Sequence, residues 1–296
     1  MTFSYTELFT IRDWLRYTVS RFEEAELFYG HGTQNSYDEA AWLILAALHL
    51  PMDSLATFLD AVITESERKH LAHLIERRVT ERVPTAYLVR QAWLGEYKFY
   101  VDERVIVPRS FIAELLRENL SPWIENPEEI VSAADICTGS GCLAILLAHA
   151  FPNAQVDAVD ISDDALSVAQ RNIADYGLND HITTIKSDML TALTGKQYDI
   201  IVCNPPYVNA PTMDELPQEY RHEPQLALAS GEDGLEHVRV LLNKTAEHLH
   251  PNGLLIVEVG HNRDELEAQF PKLPFTWLEV AAGDEFVFLL KREQLI

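Results

Sequence analysis

The chain predicts an α/β fold: a seven-stranded, mostly parallel, doubly wound sheet with an antiparallel strand in its C-terminal hairpin, preceded by a small helical bundle and a β-hairpin linker. Three observations carry this prediction. From Ile130 onward, short apolar runs alternate with helical segments, the pattern of strands joined by helical crossovers. The last two apolar runs are separated only by Ala282-Gly283-Asp284, too short for a parallel crossover, so they form an antiparallel hairpin. Residues 1–82 show helical periodicity alone. The expected domains are therefore a helical bundle over 1–82, a hairpin linker over 83–108 and a sheet domain over 109–296.

In the bundle, Leu8, Ile11, Leu15, Val19 and Phe22 recur at spacings of three and four and define one apolar face. Gly30-His31-Gly32 interrupts the pattern. Ser36 followed by Glu39 has the spacing of a capping box ahead of a helix over 40–50, which Pro51 stops. Thr64 and Glu67 repeat that spacing ahead of Leu71, Leu74, Ile75 and Val79. His49, His70 and His73 read as surface or satisfied histidines, so the bundle is expected to dock a substrate and not to do chemistry. Residues 86–93 and 98–107, rich in Tyr, Val, Phe and Ile around Gly95, predict the hairpin. Pro108-Arg109-Ser110 then ends the strand and opens a helix over 111–119. Arg109 reads either as a solvated residue or as a contact to a cofactor carboxylate. Strands are expected over 132–137, 155–160, 183–187, 198–203, 253–259, 276–281 and 285–291, with helices over 141–150, 163–176, 234–250 and 263–270.

Composition bounds the function. The 296 residues include 23 basic and 46 acidic side chains, a net charge of −23. An acidic surface repels phosphate backbones and steers a basic macromolecule inward, although acidity also serves solubility alone. No run approaches the roughly 20 apolar residues of a membrane span. Met1 to Glu7 lack a signal-peptide pattern. Cys137, Cys142 and Cys203 have no metal-type pairing and fall in predicted core segments. A cytoplasmic protein without a metal site, and with no membrane or nucleic-acid partner, is expected.

The most informative segment is Asn204-Pro205-Pro206-Tyr207, directly after the apolar run 198–203. It stands at the carboxyl end of a strand, where open α/β sheets bind ligands. The prolines stiffen the turn and leave its carbonyls outside any helix. Such a turn can accept both hydrogens of a planar NH2 group, one on the Asn204 side-chain oxygen and one on the Pro205 carbonyl, while Tyr207 packs on its flat face. Asn204, Pro205 and Tyr207 are thus the candidate catalytic residues, and Pro206 completes the candidate substrate site.

A second constellation begins at Asp135 and runs through Thr138-Gly139-Ser140-Gly141 at the first strand-to-helix turn. Glycines there let the backbone approach a ligand, and the helix start offers N–H groups. Asp160 ends the next strand, 160 − 139 = 21 residues on, the spacing of a carboxylate that accepts ribose hydroxyls. Asp188 and Met189 end the third strand, where an adenine ring is expected to lie. A carboxylate at Asp135 is unfavourable beside a pyrophosphate and favourable beside a sulfonium and an amino group, so S-adenosylmethionine is expected over a nicotinamide dinucleotide. Asp135 as a loop-capping residue remains the alternative. Glu258, ending the fifth strand, reads as facing this site or as a structural carboxylate.

On these residues the chain resembles the class I S-adenosylmethionine-dependent methyltransferases with an Asn-Pro-Pro-Tyr motif, Rossmann-like enzymes acting on adenine, guanine or glutamine amino groups. Glu223-Pro224, Ala227-Leu228, Gly231 and Asp233-Gly234-Leu235 are similar to a segment of the protein-glutamine methyltransferases, and Val107-Pro108-Arg109 matches their layout. The resemblance spans essentially the whole chain. The release-factor branch carries Pro-Arg-Pro-Glu-Thr-Glu after the hairpin, whereas here the segment is Pro108-Arg109-Ser110-Phe111-Ile112-Ala113-Glu114. With Glu219 to Pro224 and Pro274 to Glu279, this is similar to the branch that modifies the third large-subunit ribosomal protein. The resemblance implies methylation of a glutamine side-chain amide in that basic protein. A release-factor methyltransferase, a nucleic-acid amino methyltransferase and a non-enzymatic cofactor-binding scaffold are the alternatives.

Overall fold

The structure, a computed structural model, describes residues 7–295; residues 1–6, which hold most of the segment lacking a signal-peptide pattern, and residue 296 lie outside them. The chain divides into two compact units, Met1–Ala92 with Pro217–His222, and Trp93–Leu216 with Glu223–Ile296.

The first unit is built from α1 (Ile11–Glu24), α2 (Ser36–Ala47), α3 (Leu55–Phe58), α4 (Glu65–Thr80) and α5 (Thr85–Val89). Thr10 with Asp13 and Thr64 with Glu67 close capping boxes on α1 and α4, satisfying backbone N–H groups that a helix start leaves open. The box expected at Ser36 and Glu39 is not formed. Asn35 caps α2 by accepting from Asp38, and Glu39 turns inward. The apolar faces meet in a core of Trp14, Phe22, Leu43, Ile44 and Leu71, all fully buried. His49, His70 and His73 are exposed.

Glu39 belongs to a buried polar knot. The Arg78 guanidinium, with 1% of its side chain exposed, donates to Glu39 at 2.5 Å, to Glu219 at 3.2 Å and to the Phe28 carbonyl at 2.9 Å. Thr33 and Thr85 hydroxyls complete the Glu39 carboxylate at 2.8 and 2.9 Å. Burial pushes the Glu219 carboxyl up, but the Phe28 N–H bond and Arg78 outweigh it and hold the group below its usual value.

The second unit opens with β1 (Ala92–Leu94) and β2 (Tyr97–Phe99), a hairpin around Gly95 whose first residue, Ala92, belongs to the first unit. It continues through α6 (Ile112–Arg117), β3 (Ser132–Ile136), α7 (Cys142–Ala150), β4 (Gln155–Asp160), α8 (Asp163–Asp175) and β5 (Ile182–Lys186). Then come β6 (Tyr198–Cys203), α9 (Ala210–Glu215), α10 (Glu236–Lys244), β7 (Leu249–Glu258), α11 (Arg263–Gln269), β8 (Thr276–Trp277) and β9 (Val287–Lys291). The seven-stranded sheet has the order β5-β4-β3-β6-β7-β9-β8. Pairings from β5 to β7 are parallel, and β9 alone runs antiparallel to both its neighbours, as the short connection between the last two runs requires. Ile200, Ile201, Val202 and Cys203 of β6 are fully buried, each apolar side chain contributing roughly 1.5–3 kcal/mol.

Four elements differ from expectation. Residues 85–89 are helical, because a five-residue apolar run does not separate strand from helix by periodicity. The second hairpin strand stops at Phe99. Beyond it, side chains replace a partner strand: Asn172 bonds both the N–H and the C=O of Tyr100, at 2.8 and 3.0 Å, and Glu223 takes the N–H of Val107 at 2.9 Å. The helix expected over 234–250 is cut to nine residues and passes through one short tight turn into a longer β7. The strand expected over 276–281 keeps only Thr276–Trp277.

Removing Arg78 leaves the buried Glu39 carboxylate without its cation and Glu219 with only Arg82 at 3.5 Å. Arg78→Met should destabilise the chain by about 3–5 kcal/mol in chemical denaturation, whereas a cost below about 1 kcal/mol would show that water already reaches the knot.

Candidate active site at the strand ends

The sheet reverses its winding between β3 and β6, the switch point where open α/β sheets form a crevice beyond the carboxyl ends of their strands. A cleft of about 780 Å³, open to solvent, lies there. Gly139, Asp160, Asp188, Met189, Asn204 and Pro206 from the predicted site all line it. Asp135, Thr138, Ser140, Gly141, Pro205 and Tyr207 do not. Asp135 is fully buried just below the turn and Tyr207 packs toward the end of β7.

The turn after β3 is shaped by local strain and a buried carboxylate. Cys137, Gly139 and Gly141 hold positive φ of 62°, 54° and 80°, and Met189 at the end of β5 holds 48°. For Cys137 and Met189 this conformation costs on the order of 1–3 kcal/mol, a kind of outlier that clusters at ligand sites. Their sulfur atoms lie 3.7 Å apart. Asp135 Oδ2 accepts from the Thr138 hydroxyl at 2.5 Å and the Ala144 N–H at 3.0 Å, so it does cap the turn. Its other oxygen is buried without a hydrogen-bond partner among the described residues. Burial pushes the Asp135 carboxyl up to about 7, against the lowering effect of those two bonds. Asp160 joins two strand ends by accepting from Gly139 N–H and Ser162 N–H, both at 2.9 Å. Burial raises its carboxyl too, against the lowering effect of the Ser162, Gly139 and Ile161 N–H groups, and its two oxygens retain lone-pair capacity for another donor.

Asn204 presents the other orphan. Its side-chain oxygen is buried and without a partner among the described residues, on the wall of the cleft. A buried acceptor left unpaired costs roughly 1–3 kcal/mol, which a ligand bringing N–H donors would recover. Two orphaned acceptors, one of them a carboxyl, suit a ligand set that carries N–H groups and positive charge.

Other lining residues were not among the candidate site residues, although Pro224 and Ala227 belong to the segment that carries the family resemblance. Arg104, Val105 and Ile106 belong to the segment after β2, Pro224, Leu226 and Ala227 to the loop after α9, and His237 to α10. The two segments are tied together by Arg109, whose guanidinium donates to both oxygens of the buried Glu223 carboxylate at 2.5 and 2.6 Å. Arg109 is therefore committed to a bidentate ion pair and is not simply solvated. Burial lowers the His237 imidazole below its usual value.

Glu258 is fully buried behind the cleft and takes the structural place. One oxygen accepts from the Ser110 hydroxyl at 2.6 Å and the Phe111 N–H at 2.9 Å, and the other lies 3.5 Å from the Tyr207 hydroxyl. Burial pushes its carboxyl from 4.5 up to about 7, more than those bonds lower it. The folded chain thus keeps a proton there that the unfolded chain has lost, and its stability falls as pH rises from about 4.5 through about 7. Glu258→Gln, which cannot ionise, should flatten that part of the stability profile measured by denaturation between pH 5 and pH 8. An unchanged slope would show that Glu258 is already ionised in the fold.

The family model described as methyltransferase small domain matches residues 113–232, and the one described as PrmC N-terminal domain matches residues 13–89. The ribosomal protein uL3 glutamine methyltransferase of Neisseria meningitidis serogroup A is 59% identical over 98% of this chain and 95% of its own length. Those of Bordetella pertussis and Burkholderia pseudomallei are 55% and 51% identical, over 98% and 100% of this chain and 97% and 98% of theirs. Among solved structures, the hMettl16 catalytic domain in complex with MAT2A 3'UTR hairpin 6 shares the fold at a TM-score of 0.50 and 15% identity, over 78% of this chain and 84% of that one. With such identity along nearly its full length, the chain belongs to the ribosomal protein uL3 glutamine methyltransferase family.

Proposed function

We propose that this protein transfers a methyl group from S-adenosylmethionine to the side-chain amide nitrogen of a glutamine in ribosomal protein uL3. The observation that carries the chemistry is the unpartnered, buried Asn204 oxygen on the wall of the cleft. The choice of substrate rests on the relatives' names, and the net charge of −23 suits a basic protein partner.

When bound, S-adenosylmethionine supplies an electrophilic methyl group on a sulfonium. Asp135 and Asp160 are the residues that fit it. The orphaned Asp135 oxygen, buried just behind the wall, supplies an acceptor on the side of the positive end, and the remaining lone-pair capacity of Asp160, which lines the cleft, suits the ribose hydroxyls. Asp188 and Met189 wall the cleft where the adenine ring is assigned.

The amide nitrogen of glutamine is a weak nucleophile because its lone pair is delocalised into the carbonyl. Asn204 and the Pro205 carbonyl each accept one of its N–H bonds, which turns the lone pair out of resonance and aims it at the methyl carbon. The new N–C bond forms as the C–S bond breaks, and one N–H proton leaves afterwards to water. Orientation of this kind supplies up to roughly 7–11 kcal/mol of the barrier, so no strong base is required. The two acceptors also select the substrate. An oxygen nucleophile without an NH2 group leaves a buried acceptor unpaired and loses roughly 1–3 kcal/mol.

The reaction is read by mass spectrometry of purified uL3 incubated with the enzyme and S-adenosylmethionine. One added methyl group on a glutamine is expected with the wild type. Asn204→Ala should lower turnover by about 100-fold while cofactor binding persists. Asp160→Asn should weaken cofactor binding by about tenfold, measured by calorimetry, since it replaces one acceptor oxygen with an N–H donor. Normal turnover in Asn204→Ala would refute the mechanism, and an unmodified uL3 with cofactor bound would refute the substrate.

A further inference from the structure

We infer that Asn262 is a positioning residue of the acceptor site, holding the carbonyl of Tyr207 and thereby the aromatic end of the Asn204-Pro205-Pro206-Tyr207 turn. This rests on the reading of that turn as the place where the glutamine amide is held.

Asn262 immediately precedes α11, where an asparagine side chain ordinarily accepts a bond from an N–H of the first turn. It makes no such bond. Its side-chain amide instead donates to the Tyr207 carbonyl at 2.9 Å. A residue placed to cap a helix has been diverted to a loop 55 residues earlier in the chain.

The surroundings are built around the same contact. At Gly234, φ +78°, a Cβ would collide with the Tyr207 carbonyl oxygen and stand 2.8 Å from the Asn262 amide nitrogen. At Gly260, φ +57°, a Cβ would stand 2.7 and 2.8 Å from the Tyr207 ring. Both positions thus exclude a side chain for conformational and steric reasons at once. The next residue is fixed from the other side, since Val208 N–H donates to Leu228 at 2.9 Å and its carbonyl accepts from Ser230 at 2.8 Å. Tyr207 is therefore clamped by its carbonyl, its ring and its successor, and the clamp on its carbonyl is a side-chain donor, Asn262.

The diversion separates stability from turnover, which a merely structural role would not. Because α11 receives no cap from Asn262, removing the amide deprives the helix of nothing. Asn262→Ser and Asn262→Asp even offer it a capping oxygen. In the full-length enzyme, Asn262→Ser and Asn262→Asp should melt near the temperature of the wild type, Asn262→Ala somewhat below it because the Tyr207 carbonyl loses its donor without a cap gained, and all three should bind S-adenosylmethionine within about twofold. Their kcat on purified uL3 should fall by about 10- to 100-fold, the effect of displacing a reacting group by up to an ångström. Asn262→Gln, which keeps an amide donor, should recover part of that loss. Asn204→Ala, run alongside, tests the underlying reading. If it retains wild-type turnover, that reading fails and the inference with it. If it is inactive while the three Asn262 variants turn over normally, the inference alone is overturned. Parallel loss of melting temperature and turnover in all three would make Asn262 a structural residue and overturn it equally.

Discussion

The parallel pairing of β6 between β3 and β7 is the constraint on which the rest of the second unit depends. Cys203 stands level with Ile136 on one side and Val257 on the other, so Asn204 emerges at the midpoint of the sheet edge. Pro205 and Pro206 have no N–H to continue a ladder, and the strand ends where the turn begins. The winding reverses beside this same strand, which opens the cleft next to it. A slip of one residue in β6 would exchange its two faces and carry Asn204 away from Asp135 and Asp160 together.

Two buried carboxyls flank that strand, and their differing bonds separate their roles. Burial pushes Asp135 and Glu258 both up to about 7. Glu258 spends its oxygens on Ser110, Phe111 and the neighbourhood of the Tyr207 hydroxyl, and so fastens the entrance of α6 and the turn to the end of β7. Asp135 spends one oxygen on its own turn and keeps the other unbonded. An equal shift therefore marks a structural group in one case and an unfilled acceptor in the other. Hydrogen-bond accounting distinguishes them where the electrostatics does not.

Much of the fold was legible along the chain. Strands buried on both faces read as continuous apolar runs, and the last strand pairs antiparallel as expected, its connection from β8, residues 278–286, being nine residues in the structure and still too short for a parallel crossover. The readings failed where tertiary contacts took over local pattern. Residues 100–107 have the composition of a strand, yet Asn172 and Glu223 satisfy their backbone from 72 and 116 residues away. Glu39 has the spacing of a cap and is drawn instead to Arg78. Residues 217–222, between the Asn204 turn and the second half of the sheet domain, fold with the helical unit, because Glu219 is claimed by Arg78 and the Phe28 N–H.

By itself the sequence determined the fold class, the sheet edge that carries the site, and the residues at the ends of β3 to β6, since period, strand termini and proline placement are local properties. Only the tertiary structure decided which of those residues reach the cleft and which stand behind it. It joined Arg104, Leu226 and His237 to the wall, committed Arg109 to Glu223, and turned Asn262 from its helix to Tyr207. These are pairings across long stretches of chain, set by the geometry in which buried donors find acceptors, and no periodicity along the backbone encodes them.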